Sequence, residues 1–378
     1  MGGGRPQPFL GVQVASVIVI GGGYGGITVA KGLDAVADVT LVERNDQFVH
    51  HAAALRAAVD PVWGQSIFMP YSYLLKRGRV VQGTVARVEG NRVHIYGREP
   101  LEADYLVFAT GSTYPFPAKN VSASATVAQS RLEGLRESLK GADKAVLVGG
   151  GTVGLELAGE LKAAHPHIDI EVVEKEDRIL PSPGYTDQFR ALVADQARDL
   201  GIKLTTGGTL AYLPPTAPGE LGRFEVETTL GVPVTGDIWF QCYGAHPVTG
   251  YLLDTDYESA LADDGTIRVL PTMQVAGHAN AYAVGDITDI VESKRADAAR
   301  SQARVTVANI AAQIAGEDPH AIYHPTKEWV VLPLGPSKGV SQLVDESGAT
   351  TIVGSEETAE IKGADLMLSV IRSQLGLP

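Results

Sequence analysis

The sequence predicts an α/β fold in which one βαβ pattern occurs twice and a small α+β unit follows. Three observations carry this reading. A Gly-x-Gly-x-x-Gly cluster appears at Gly21 to Gly26 and again at Gly149 to Gly154. Each cluster follows an apolar run, VASVIVI or KAVLV, and precedes a helix-like run, ITVAKGL or LELAGEL. Each is completed downstream by a strand ending in an acid, VTLV-Glu43 and IDIEVV-Glu174.

Taken in order, the first unit runs from about Val14 to Val42, and its glycines have distinct tasks. Gly21 permits the tight turn, Gly23 lets an anion approach the backbone, and Gly26 lets helix and strand pack closely. Tyr24 and Gly25 lie between them, at a helix start that favours phosphate. Glu43 stands where a ribose hydroxyl is bound, with Arg44 beside it as a further contact. An irregular stretch with Pro61, Trp63, Gly64 and Pro70 follows, then the strand-like GRVVQGTVARV and NRVHIYG. The strand YLVFA ends at Ala109-Thr110-Gly111, and Pro115 and Pro117 mark a crossing between domains.

The second unit repeats this logic with Gly149, Gly151, Thr152, Val153, Gly154 and Glu174. It continues through a helix in DQFRALVADQARDLG, a strand in IKLTTGG and a hairpin around Phe224–Glu227 and Val232–Val234. Its last strand, DIWFQCYG, stops at Gly244 as YLVFATG stops at Gly111. Beyond Gly250 come the strand-like GTIRV, then AYAVGD with Gly285 and Asp286, and a helix from Ser293 to Ala315. Strands in WVVLPLG and KGVSQLV and a last helix in LMLSVIRSQLGL complete the chain. The expected domains are 14–115 with 251–318, 116–250 and 319–378, after a disordered tail over 1–13. The fold class is therefore two Rossmann-like nucleotide-binding domains plus a small C-terminal α+β domain, and two dinucleotides are the expected ligands.

Composition narrows the function. The 378 residues suffice for two or three cores, and a formal charge of −13 without a basic run argues against a nucleic-acid partner. The single cysteine, Cys242, excludes an internal disulfide or a Cys-x-x-Cys centre, and its place at a strand end suggests a small buried side chain. The opening Met1–Pro6 lacks the apolar core of a secretion signal, and Pro6 stands where N-myristoylation requires Ser or Thr. A cytoplasmic protein is expected, with peripheral membrane contact and a homodimer left open. No metal site is expected, since His50 and His51 lack companions at ligand spacing.

The order of Gly-x-Gly-x-x-Gly, Ala109-Thr110-Gly111, a second Gly-x-Gly-x-x-Gly and Ala283-Val284-Gly285-Asp286 resembles the two-dinucleotide flavoprotein superfamily. The stretches Phe48-Val49-His50-His51-Ala52-Ala53-Ala54-Leu55-Arg56-Ala57-Ala58 and Glu292-Ser293-Lys294-Arg295, running on to Val307-Ala308-Asn309-Ile310, are similar to those of apoptosis-inducing-factor-like, ferroptosis-suppressor-type NAD(P)H:quinone reductases. The resemblance implies FAD in the first domain and NAD(P)H in the second. It implies that Glu43 holds the FAD ribose and that Asp286 contacts the ribityl chain. His50 and His51 with Arg56 are weaker candidates to contact FAD or line the acceptor pocket, one buried and one exposed histidine being the plainer expectation. The resemblance also places Glu156, of the Gly-x-x-Gly-x-Glu run, near nicotinamide and flavin, with Lys294 as its ion-pair partner. Glu174 favours NADH, while Lys175 and Arg178 leave NADPH possible.

Without a dithiol, electrons must leave the flavin directly. The reading is an FAD-dependent NAD(P)H:quinone oxidoreductase, with a quinone or another small acceptor as partner. Its alternatives are an NADH-dependent ferredoxin or rubredoxin reductase and an NADH-sensing redox protein that recruits a protein partner.

Overall fold

The computed structural model describes residues 14–325 and 327–378, so the tail expected over 1–13 lies outside the described residues. Its first sheet is five-stranded and parallel, in the order Ala281–Ala283, Tyr105–Phe108, Ser16–Ile20, Asp38–Glu43, Arg79–Gln82. The second sheet is four-stranded and parallel, in the order Ile202–Thr206, Asp169–Glu174, Lys144–Val148, Ile238–Gln241. In both, the strand leading into the glycines lies inside the sheet. Both read as near-continuous apolar runs because parallel strands are covered on two faces. Val17, Val19, Ala145 and Leu147 are wholly buried, and full burial of a Val or Leu contributes about 1.5–3 kcal/mol over exposure.

Each first strand turns into its helix, Tyr24–Leu33 or Thr152–Ala164, through a glycine that no other residue could replace. Gly21 has φ +103° and Gly149 φ +112°. A Cβ on Gly26 would lie 1.8 Å from the Gly21 carbonyl oxygen, and one on Gly154 2.0 Å from that of Gly149. The close strand–helix approach expected of the third glycine is thus present in both copies.

The chain crosses between the two parallel sheets twice, and the crossings pair: Ser112–Thr113 runs antiparallel to His246–Pro247. Thr110 Oγ1 donates to the Val248 carbonyl at 2.6 Å, which ties the Ala-Thr-Gly turn to the returning strand. The C-terminal region forms an antiparallel sheet, Val330–Pro333, Gly339–Val344, Thr350–Val353, followed by short helical turns.

Three expectations needed correction. GRVVQGTVARV is two strands: Arg79–Gln82 ends the parallel sheet, where Gly83 N–H makes the last bond to the Glu43 carbonyl, and Val85–Glu89 pairs antiparallel in a separate sheet. GTIRV forms only isolated bridges, Ile267 with Leu261 and Thr288, and Val269 with Val275. The last helix spans only Leu368–Gln374, because Leu366 and Met367 adopt positive φ, where the Leu366 carbonyl turns inward to accept a hydrogen bond from His50.

Candidate active site

Two phosphate cradles come first. Each glycine helix starts without a side-chain cap, so its first amides are free for an anion. Gly23 and Gly151 face open space, with no atom within 4 Å of where a Cβ would stand. A side chain there would fill the cradle; glycine leaves it open for a pyrophosphate. The residues present therefore fit a dinucleotide in each domain.

The two acids close their loops in the same way. Glu43 accepts from Gly22 N–H at 2.5 Å and Asn45 N–H at 2.8 Å. Glu174 accepts from Gly150 N–H at 2.6 Å and Glu176 N–H at 3.0 Å. Burial, only partly offset by these donors, raises the Glu43 pKa above the usual carboxylate range. Beside Glu43 a cavity of about 380 Å³ is lined by Asn45, Asp46, Tyr71, Val80 and Gln82 among others. Tyr71 was not singled out from sequence, yet its hydroxyl donates to the Gly22 carbonyl at 2.9 Å and braces the loop. No local signal marks it, since it arrives from the irregular stretch. Arg44 points the other way and donates to the Val121 carbonyl.

Asp286 follows Gly285, whose φ of +86° makes the turn. Its Oδ2 accepts from Ser112 Oγ at 2.5 Å and from Lys119 Nζ at 3.3 Å. The second crossing, at Gly244 with φ +94°, leaves its strand beside the Cys242 carbonyl that Gly149 approaches. Thr152 and Val153 open the second glycine helix.

The expected Glu156–Lys294 pair is not formed. Lys294 donates to the carbonyls of Thr288 at 2.7 Å and Ile290 at 2.8 Å, and so braces the turn after Asp286. Glu156 is instead paired with Lys362, Nζ to Oε1 at 2.7 Å. Lys362 lies in the π-helical turn Ala359–Gly363, more than two hundred residues away in sequence, where no spacing argument reaches. Burial raises the Glu156 pKa, and the Lys362 charge opposes that rise.

Arg56 also needs correction as a cofactor contact. Its Nε and Nη2 donate to the Glu160 carboxylate and its Nη1 to the Gly363 carbonyl at 2.6 Å. Both partners of this ion pair are almost wholly buried, at 5% and 6% side-chain exposure. Every guanidinium nitrogen is thus engaged by protein. Glu160 stands one helical turn after Glu156, so the two carboxylates share a face and each meets a different cation.

Of the two histidines, His50 is buried and His51 is partly exposed. The Leu366 carbonyl can only accept, so His50 Nε2 carries the proton and Nδ1 accepts from Tyr24 OH at 2.9 Å. Tyr24 OH accepts in turn from Ala52 N–H. Tyr24 therefore serves the first loop by anchoring its helix to the C-terminal segment. Cys242 is buried, and its burial pushes the thiol up to about 12.

This geometry agrees with the comparisons. Residues 15–303 match the sequence pattern of the pyridine nucleotide-disulphide oxidoreductases. The chain belongs to that family. It is 30% identical to apoptosis-inducing factor homolog B of Dictyostelium discoideum, over 96% of this chain and 97% of that one. It is 32% identical to ferroptosis suppressor protein 1 of Homo sapiens, over 86% and 88%. Its fold is also that of the sulfide:quinone oxidoreductase of Aquifex aeolicus, with a TM-score of 0.73 at 18% identity, covering 96% of this chain and 92% of that one. The cofactors are FAD and NAD(P)H, and the protein is a flavin-dependent oxidoreductase of the apoptosis-inducing-factor type. The disulphide of the family name has no counterpart in a chain with one cysteine.

Proposed function

We propose that the protein is an NAD(P)H:quinone oxidoreductase, with NADH the favoured donor. The observation that carries this reading is the state of the single thiol. Cys242 is buried and its pKa is pushed up to about 12, so it offers neither a dithiol nor a thiolate relay. Electrons then pass straight to a small acceptor, and a quinone fits a carrier of two electrons and two protons. FAD, when bound, would supply the two-electron chemistry between nicotinamide and acceptor.

The chain's own residues bind and orient. The two open glycine cradles hold the pyrophosphates, and Asp286, fixed by Ser112 and Lys119, receives hydroxyl donors of the FAD chain. Glu156 and Lys362 hold a compensated charge pair where the second glycine helix meets the C-terminal segment, and would present it to a nicotinamide bound at that helix. A preorganised pair of this kind meets changing charge without reorientation of solvent. Glu174 accepts from the NADH ribose and repels a 2′-phosphate.

Steady-state turnover and FAD content test these roles together. Glu156→Gln and Lys362→Met should each keep the yellow, FAD-loaded protein and lower turnover about 100-fold, the usual scale for one preorganised electrostatic contact. Lys294→Ala should affect turnover far less. Unchanged rates in both of the first two variants would remove the pair from the mechanism.

A further inference from the structure

The turn that carries Asp286 is braced by a side-chain network that plays no part in the reading above. Gly285 N–H donates to Gln302 Oε1 at 2.6 Å, and Gln302, from the long helix Ala296–Ile314, is 1% exposed. Gln302 Nε2 donates to Glu292 Oε1 at 2.7 Å. Tyr323 OH donates to both Glu292 oxygens, at 2.9 and 2.8 Å.

The direction of this chain is dictated by its far end. A carboxylate accepts and never donates, so Glu292 draws the amide NH2 of Gln302 toward itself and leaves the amide oxygen facing Gly285. Without Glu292 the NH2 of Gln302 is left unpaired in a buried site, at the desolvation cost of such a group. The side chain also loses the anchor that holds its Oε1 on the Gly285 N–H. Gly285 is the residue whose positive φ aims Asp286, and Thr288 Oγ1 donates to its carbonyl at 3.0 Å. The turn is therefore held at its N–H by Gln302, at its carbonyl by Thr288, and at Asp286 by Ser112 and Lys119.

We infer that Glu292 is a positioning residue for FAD: acting through Gln302, it fixes the Gly285–Asp286 turn and so sets the affinity and the electronic environment of the bound flavin. The inference rests on the assignment of FAD to the first domain. Gln302 touches the turn and Glu292 touches Gln302, and neither belongs to the glycine motifs.

The experiment compares the full-length holoprotein with Glu292→Leu, Glu292→Gln, Gln302→Leu and the double variant Glu292→Leu/Gln302→Leu. It reads the FAD dissociation constant on reconstitution, the flavin midpoint potential and visible spectrum, and the thermal unfolding of the apoprotein. Glu292→Leu should weaken FAD binding about ten-fold or more and shift the potential. Glu292→Gln, whose amide oxygen still accepts from Gln302, should restore both. The double variant should be no worse than Gln302→Leu, because the two residues act along one path. Wild-type affinity and potential in Glu292→Leu would overturn the inference. So would equal losses in Glu292→Leu and Glu292→Gln, or a loss that follows apoprotein unfolding with the potential unmoved. A wild-type protein that takes up no FAD would instead overturn the cofactor assignment itself, a result the wild-type titration gives alone.

Discussion

Glu43 and Glu174 each grip the second amide of their own glycine loop and the amide two residues further on. This shared geometry explains why both acids were legible from spacing. The acid must stand at the end of the strand beside the loop, and a parallel sheet fixes that distance in sequence. The partner of Glu156 was not legible for the opposite reason. Lys294 is near the motifs in sequence, but its Nζ is satisfied by two carbonyls of its own turn, whereas Lys362 arrives on a separate segment. The ion pair of Arg56 was not legible either, because its partner is a carboxylate more than a hundred residues away, on the second glycine helix. At this scale Glu174 gives the clearest test. Glu174→Ala should raise the NADPH-to-NADH ratio of kcat/KM by about ten-fold or more, since facing like charges cost several kcal/mol. An unaltered ratio, measured by initial rates, would refute the ribose assignment.

The helix Ala54–Val59, the helix Thr152–Ala164 and the turn Ala359–Gly363 meet at four charges. Arg56 holds Glu160 and the Gly363 carbonyl, while Lys362 from the same turn holds Glu156. One contact is thus shared by both parallel-sheet units and the C-terminal segment. That segment reaches further along the first glycine helix. Gln374 Nε2 donates to Thr28 Oγ1 at 2.5 Å, and Lys31 Nζ donates to the Gln374 carbonyl at 2.6 Å. With Tyr24, these residues form one helical stripe, at i, i+4 and i+7, that the C-terminal residues cover. The last helix expected from sequence thus forms a specific clasp. Arg56→Met should cost about 3–5 kcal/mol, the penalty for leaving a buried carboxylate without its cation. Urea unfolding followed by intrinsic fluorescence measures it, and a wild-type midpoint would show that Glu160 finds compensation elsewhere.

Over the whole molecule, the two glycine units and their parallel sheets were readable because periodicity, turn chemistry and strand-end acids all agree. The C-terminal region was readable only as two strands and a last helix, since its role depends on contacts with residues hundreds of positions earlier. Its histidine contact gives the protein a pH dependence. Burial lowers the pKa of His50. His51 is partly exposed, but its Nδ1 is shut off from solvent without a partner, and this desolvation together with the Lys119 charge pushes its pKa down to about 3, against an ordinary value of 6.5. Between the folded and unfolded values the unfolded chain binds more protons, so stability rises with pH there. The contribution is complete above about pH 6.5 and is lost as pH falls toward the folded values, by up to about 1.4 kcal/mol per pH unit for each group. Urea midpoints should fall steadily between neutral pH and about pH 5. A flat midpoint across that range would contradict a net excess of proton uptake by the unfolded chain: either both rings protonate in the folded protein as readily as in the unfolded chain, or uptake by the buried Glu43 and Glu156, whose pKa values are raised, offsets them.

The central claim is that hydride enters from NADH and electrons leave directly to a quinone. Stopped-flow flavin absorbance tests it most directly: the protein is mixed anaerobically with NADH, then with a short-chain ubiquinone or menaquinone analogue. The expected result is rapid bleaching of the flavin band followed by rapid recovery on adding quinone. Rapid bleaching that no quinone reverses would contradict the claim and point to a protein acceptor or a redox sensor.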